Sequence, residues 1–149
     1  MSETLQAALK GRFGRFQLHA ALDVPAQGIT AITGRSGSGK TTLLRCIAGL
    51  ERAAGRVTVR GEVWQDSATF VPPYRRAVGY VFQEAGLFPH LSLRANLRYG
   101  MDRAGGRQGL AFDEVVNLLG LEALLPRSPT KLSGGERQRG AIARALLSR

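Results

Sequence analysis

The chain opens with short apolar stretches, Leu5 to Leu9, Phe13 to Phe16 and Leu18 to Leu22, broken by Gly11 and Gly14. This rhythm predicts a β-ribbon closed by a tight turn. After Asp23, Pro25 and Gly28, the run Ile29-Thr30-Ala31-Ile32-Thr33 is β-branched and apolar on both faces. Such a run predicts a strand buried within a parallel sheet, in a central position. A Gly- and Ser-rich segment, Gly34 to Gly39, comes next, and from Lys40 to Leu50 the residues Leu43, Leu44, Ile47, Ala48 and Leu50 recur at helical spacing. The order is therefore strand, glycine loop, helix. Beyond Gly55, Arg56 to Val59 and Glu62 to Trp64 read as strands, Pro72-Pro73 as a loop, and Ala77 to Phe82 as a last strand-like run, so the β-rich portion ends near Gln83. Leu93 to Tyr99 and Phe112 to Leu119 read as helices on either side of a loop containing Gly105, Gly106 and Gly109. Gly134 to Leu147 forms a third, with Ile142, Ala145 and Leu146 available for its apolar face. The pattern predicts an α/β portion followed by a mainly helical one, with no internal repeat.

Composition narrows the class. At 149 residues the chain suits one domain with a real core, and 44% apolar with 21% charged residues excludes disordered, collagen-like and disulfide-framework classes. Cys46 is the single cysteine and forms no internal bridge. No run approaches the roughly 18 apolar residues of a membrane span. The opening Met1-Ser2-Glu3-Thr4 is unlike a secretory signal, which makes the cytoplasm the expected compartment. The net charge of +10 allows an acidic partner: nucleic acid, a phospholipid surface or a nucleotide. Of the 21 basic residues 18 are Arg, scattered along the chain, so the excess reads as a solvated surface. No zinc-finger spacing, basic heptad array or aromatic RNA-binding motif accompanies it, and a nucleic-acid partner rests on charge alone.

The chemistry enters at Gly34-Arg35-Ser36-Gly37-Ser38-Gly39-Lys40-Thr41, which fits G-x-x-x-x-G-K-[ST] at every fixed position. Gly34, Gly37 and Gly39 let the backbone curl so that successive N–H groups converge on phosphate oxygens, and Ser36 and Ser38, within the same curl, are expected to bind the phosphates with them. The helix that follows adds the positive end of its dipole. Lys40 is expected to reach the β- and γ-phosphates of ATP, Thr41 to coordinate Mg²⁺ through its hydroxyl, and Thr42 to lie nearer the α-phosphate. The bland alternative is a flexible Gly/Ser loop with one exposed lysine.

A second constellation, Leu132-Ser133-Gly134-Gly135-Glu136-Arg137-Gln138-Arg139, opens the last helix. Ser133 and Glu136 make S-x-x-E, a capping box for the first amides. Two glycines in a first helical turn, however, each weaken a helix by about 1 kcal/mol relative to Ala. Bare backbone at that place suits close approach of an anion.

With these residues in view the sequence resembles the ATPase subunits of ATP-binding-cassette transporters over essentially its whole length. The phosphate loop, the glutamine of Tyr80-Val81-Phe82-Gln83 and the Leu132-Ser133-Gly134-Gly135-Glu136 signature stand in the family's order. Glu136 occupies a place where the family commonly has Gln. The resemblance implies an α/β, P-loop NTPase fold with an N-terminal antiparallel β-subdomain and a helical signature subdomain, a partial form of the ABC ATPase fold. In it, residues 1–85 form the ATP-binding core and 86–149 the helical part of one nucleotide-binding domain. It further implies a head-to-tail pairing of two subunits around two ATP molecules, with Ser133, Gly134 and Gly135 contacting the γ-phosphate held by the other subunit. Gln83 would join the Mg²⁺ shell, position water and report to integral-membrane permease subunits. Phe13 or Phe16 would stack on adenine, each being equally a core candidate. The implied location is peripheral, on the cytoplasmic side of the membrane. Within the family, Val78 to His90, Asn96-Leu97-Arg98-Tyr99-Gly100 and Gly28 to Ile32 are most similar to importers of molybdate-type oxyanions.

The sequence departs from the family after Ser148. The family's apolar strand ending in Asp-Glu, and its later histidine, have no counterpart before Arg149; His19 and His90 both precede the signature. The expectation is an incomplete product of a longer gene that binds nucleotide better than it turns it over, because the general base is missing. Three readings follow: an ATP-hydrolysing transport subunit, a nucleotide-binding regulatory module without turnover, and a soluble cassette ATPase acting on nucleic acid. Steady ATP turnover would defeat the second, and salt-sensitive DNA binding would favour the third.

Overall fold

A computed structural model of the chain describes residues 3–103 and 110–148. The glycine loop expected around Gly105, Gly106 and Gly109 lies outside the described residues. Two compact units are present, Met1–Arg76 and Ala77–Arg149.

The first unit is a β-ribbon that grows into a sheet. β1 (Thr4–Phe13) and β2 (Phe16–Pro25) pair antiparallel from Thr4↔Pro25 to Phe13↔Phe16, as the broken apolar stretches predict. β3 (Ala54–Val59) adds to the free edge of β1, and β4 (Glu62–Gln65) to β3, giving the order β2-β1-β3-β4. Alternation sets one face inward: Ala7 and Leu9 of β1, Leu18 of β2 and Val57 of β3 are buried, while Gln6, Ala8 and Lys10 are exposed. α1 (Lys40–Ile47) contributes Leu43, Cys46 and Ile47 to the buried set.

Two expected strands are absent. Residues 29–33 carry no strand pairing, and Ile29 is fully exposed. Residues 77–82 likewise lie outside any strand. A strand buried on both faces exists only through its hydrogen-bonded neighbours. No strand among the described residues pairs with either segment, so the apolar runs remain unpaired. The β-structure ends at β4 and a single bridge from Gln65 to Phe70, short of Gln83.

The second unit is helical. α2 (Leu93–Arg103), α3 (Phe112–Leu119) and α4 (Gly134–Leu147) match the periodicity, α3 and α4 at both ends. Leu93 and Leu97, Val115 and Val116, Leu121, Leu124, Leu125 and Leu132, with Ala143 and Leu147, form its core. α2 approaches α4 closely because Gly100 has no side chain: an added Cβ would stand 2.6 Å from the Arg144 carbonyl oxygen. Asn96 is wholly buried and fully engaged, accepting from the Phe88 N–H at 2.7 Å and donating to the carbonyls of Phe88, Leu91 and Ser92. Arg144 of α4 completes the network with bonds to Asn96 Oδ1 at 3.3 Å and to the Gly86 carbonyl at 2.8 Å.

Candidate functional site

The phosphate loop sits where its pattern places it, at the start of α1. Gly34, Gly37 and Gly39 take φ values of 152°, 78° and 90°, a region that disfavours any side chain. Gly39 is the N-cap, so no side chain caps the helix. The first intrahelical bond runs from the Leu43 N–H to the Gly39 carbonyl at 2.8 Å, which leaves the amides of Lys40, Thr41 and Thr42 without an acceptor inside the helix. Lys40 folds over the loop: its ammonium donates to the carbonyls of Gly34 and Arg35, each at 2.8 Å, and to Ser38 Oγ at 3.5 Å. The cation and the uncapped amides form one positive end.

Phe13 and Phe16, at the tip of the β1–β2 ribbon, line a cleft of about 390 Å³ with Ser36, Gly37, Gly39, Lys40, Thr41 and Thr42. Neither ring is among the fully buried residues. A flat apolar surface therefore adjoins a site for anions, an arrangement suited to a ligand with an aromatic base at one end and phosphates at the other. Thr41 is exposed within this cleft. Its hydroxyl is the hard oxygen donor that Mg²⁺ takes together with phosphate oxygens, and the residues present fit that ion. Among the described residues no group of three or more His, Cys, Asp or Glu offers an all-protein metal site.

The signature residues begin α4 in the second unit. Ser133 is the N-cap: its Oγ accepts from the Glu136 N–H at 3.3 Å, and its own N–H donates to Glu136 Oε2 at 2.7 Å. The capping box is thus real. That bond to the Ser133 amide, reinforced by the Ser133 hydroxyl, holds the Glu136 carboxyl below its ordinary value. Capping does not account for the glycines, since a Cβ added at Gly134 or Gly135 would meet nothing within 4 Å. Neither their φ values nor their surroundings in this chain demand glycine. Gln83 lies in an exposed turn, without the strand expected before it. The turn is held by the Ala85 N–H donating to the Phe82 carbonyl at 3.1 Å.

Sequence reasoning missed three polar side chains, two of them buried, Asn96 and Arg76, and one half-buried, Arg144. Asn96 and Arg144 order the segment around Phe88, and Arg76 is buried in the first unit. An asparagine within an amphipathic helix and two arginines among 18 carry no distinguishing signal.

Taken together, an antiparallel ribbon, a glycine loop on a short helix and a helical unit whose last helix is opened by Ser-Gly-Gly define a nucleotide-binding cassette ATPase fold. Residues 18–149 match the ABC transporter family, and the chain belongs to it. Solved structures agree on the fold. An ATP-binding cassette dimer in a post-hydrolysis state with ADP and Pi superposes at a TM-score of 0.75 and 24% identity, over 97% of this chain and 69% of that one. The cbiO1 protein of Clostridium perfringens, part of an ABC transporter complex, gives 0.74 and 23% over 97% and 61%. Among curated relatives, the molybdenum import ATP-binding protein ModC of Thiobacillus denitrificans is 62% identical over 154 residues, 98% of this chain and 42% of that protein. ModC 2 of Bradyrhizobium diazoefficiens is 62% identical over 97% of this chain and 16% of that protein. ModC of Rhodopseudomonas palustris is 58% identical over 99% of this chain and 40% of its own length. The chain spans less than half the length of each of these relatives. No helix among the described residues is long and apolar enough to cross a membrane.

Proposed function

We propose that this chain is the nucleotide-binding region of an importer ATPase that couples ATP binding and hydrolysis to uptake of a molybdate-type oxyanion. The observation that carries the reading is the phosphate loop, with Lys40 folded over it and uncapped amides at α1, in a chain 62% identical over 98% of its length to a molybdenum import ATP-binding protein.

In this reading the amides of residues 34–40 and the Lys40 ammonium hold the triphosphate, and Phe13 or Phe16 carries the base. The Thr41 hydroxyl would hold Mg²⁺, which would supply charge neutralisation at the phosphates, and Gln83 is the further ligand that the family resemblance implies. Thr42 contacts the inner phosphates. Gln83 orients water and senses the permease. Ser133, Gly134 and Gly135 of a second copy close on the γ-phosphate, which supplies a role for two glycines the chain itself does not require. The subunit would then sit on the cytoplasmic face of the membrane, docked on integral-membrane partners, and residues 1–85 and 86–149 would act as its core and helical parts.

A chimaera tests the assignment. This chain replaces the matching region of the Thiobacillus denitrificans protein, and ATP-driven molybdate uptake is measured in vesicles with that protein's own permease. Retained uptake that Lys40→Ala abolishes is the expected result. A folded, assembled chimaera with no uptake would overturn it.

A further inference from the structure

Arg76 is 3% exposed, yet no carboxylate among the described residues pairs with it. Its guanidinium lies over the rings of Trp64 and Phe70, 5.6 and 5.1 Å from their centroids. Its donors go to main-chain carbonyls only: Nε to Val71 at 2.8 Å, Nη1 to Ile47 at 2.5 Å and Cys46 at 3.3 Å, Nη2 to Trp64 at 3.5 Å. Burial pushes its pKa down from the ordinary arginine value. A buried cation without an acid is costly, so the place it occupies carries weight. Cys46 and Ile47 are the last two residues of α1, at the negative end of its dipole; the Gly49 N–H takes the Cys46 carbonyl at 3.0 Å, and Arg76 is the donor to the Ile47 carbonyl. The chain makes room for this contact at Gly49, where φ is +78° and an added Cβ would stand 2.7 Å from Arg76 Cζ.

α1 has only eight residues, too few to be stable by itself. Its order comes from what holds it. We propose that Arg76 is a positioning residue for the nucleotide: by clamping the C-terminal carbonyls of α1 it keeps ordered the helix whose first amides meet the phosphates. The inference rests on the phosphate-loop reading above. Ligand at one end and clamp at the other stabilise the same two turns, so weakening the clamp lowers the fraction of chains competent to bind.

Cys46, the only cysteine and fully buried on α1, reports the order of the helix through its labelling rate with an aromatic disulfide. The full chain and four variants are compared by that rate and by titration with a fluorescent ATP analogue and Mg²⁺. Arg76→Met is expected to weaken nucleotide binding at least tenfold and to speed Cys46 labelling, with saturating nucleotide slowing it again. The neighbouring guanidinium favours the thiolate, so its loss alone would slow labelling and faster reaction reports opening. Arg76→Lys, which keeps the charge without the planar fork, should fall between. Gly49→Ala should reproduce Arg76→Met by displacing the guanidinium, and it carries the test with the same criteria should Arg76→Met not fold. Gly55→Ala, which crowds the Ala8 carbonyl in the sheet, should leave affinity within twofold. Parental affinity in Arg76→Met or Gly49→Ala, or an equal loss in Gly55→Ala, would overturn the clamp. If the parent chain itself ignores nucleotide, the phosphate-loop reading fails instead, and unchanged Cys46 labelling in Arg76→Met then overturns the clamp independently.

Discussion

The ring of Phe16 occupies the space a side chain on Gly39 would need: a Cβ added there would lie 2.8 Å from Phe16 Cε1. The ribbon tip and the phosphate loop are therefore fitted to one another, and the glycine of the loop answers to a contact as well as to its φ of 90°. Gly39→Ala should cost about 1–3 kcal/mol of stability and weaken nucleotide binding in parallel. Adding Phe16→Ala should recover part of the loss, because it removes the collision and leaves the backbone penalty. Strict additivity of the two substitutions in thermal unfolding would contradict the contact.

Ser133→Arg separates the two faces of the account. The substitution puts a bulky cation at the start of α4, in the unit that does not contain the phosphate loop. Nucleotide affinity of the single chain should stay unchanged, while ATP-dependent pairing in sedimentation velocity should disappear. Equal pairing by variant and parent would remove the signature from the proposed interface.

The capping box gives a pH signature. Glu136 has a folded value below its ordinary 4.5, so its contribution is fully present above the unfolded value and is lost as pH falls through the folded one. Glu136→Gln keeps a side chain able to cap and does not titrate. Stability curves of parent and variant should run parallel above pH 5 and converge or cross below about pH 4, the parent losing more. Parallel curves through that range would show that the carboxylate has no such bond.

Asn96 is bound on every side, so truncating it strands several buried groups at once. Asn96→Ala should lower stability in urea unfolding by about 2–4 kcal/mol. A change under 1 kcal/mol would mean that the network is replaced by other partners.

Much of this fold can be read from residue order. The ribbon, the start of α1 at Lys40, and the limits of α3 and α4 follow from turn residues, periodicity and caps, which are local. Residues 29–33 and 77–82 show where such reading stops. Their apolar, β-branched runs express a preference for burial in a sheet, but only a neighbouring strand turns that preference into structure, and none pairs with them among the described residues. The glycine loop before α1 and the Ser133 cap of α4 are legible in place because both are patterns of fixed spacing. Arg76 is not: its role depends on where the α1 carbonyls end and on the gap at Gly49, which spacing does not record.

Calorimetric titration of the full chain with ATP and Mg²⁺, beside Lys40→Ala, reaches the centre of the account. The parent should bind, and the variant should lose at least tenfold in affinity, about the 1.5–3 kcal/mol of a charge-assisted contact. A folded parent that gives no binding heat with ATP, or a variant with the parent's dissociation constant, would contradict it.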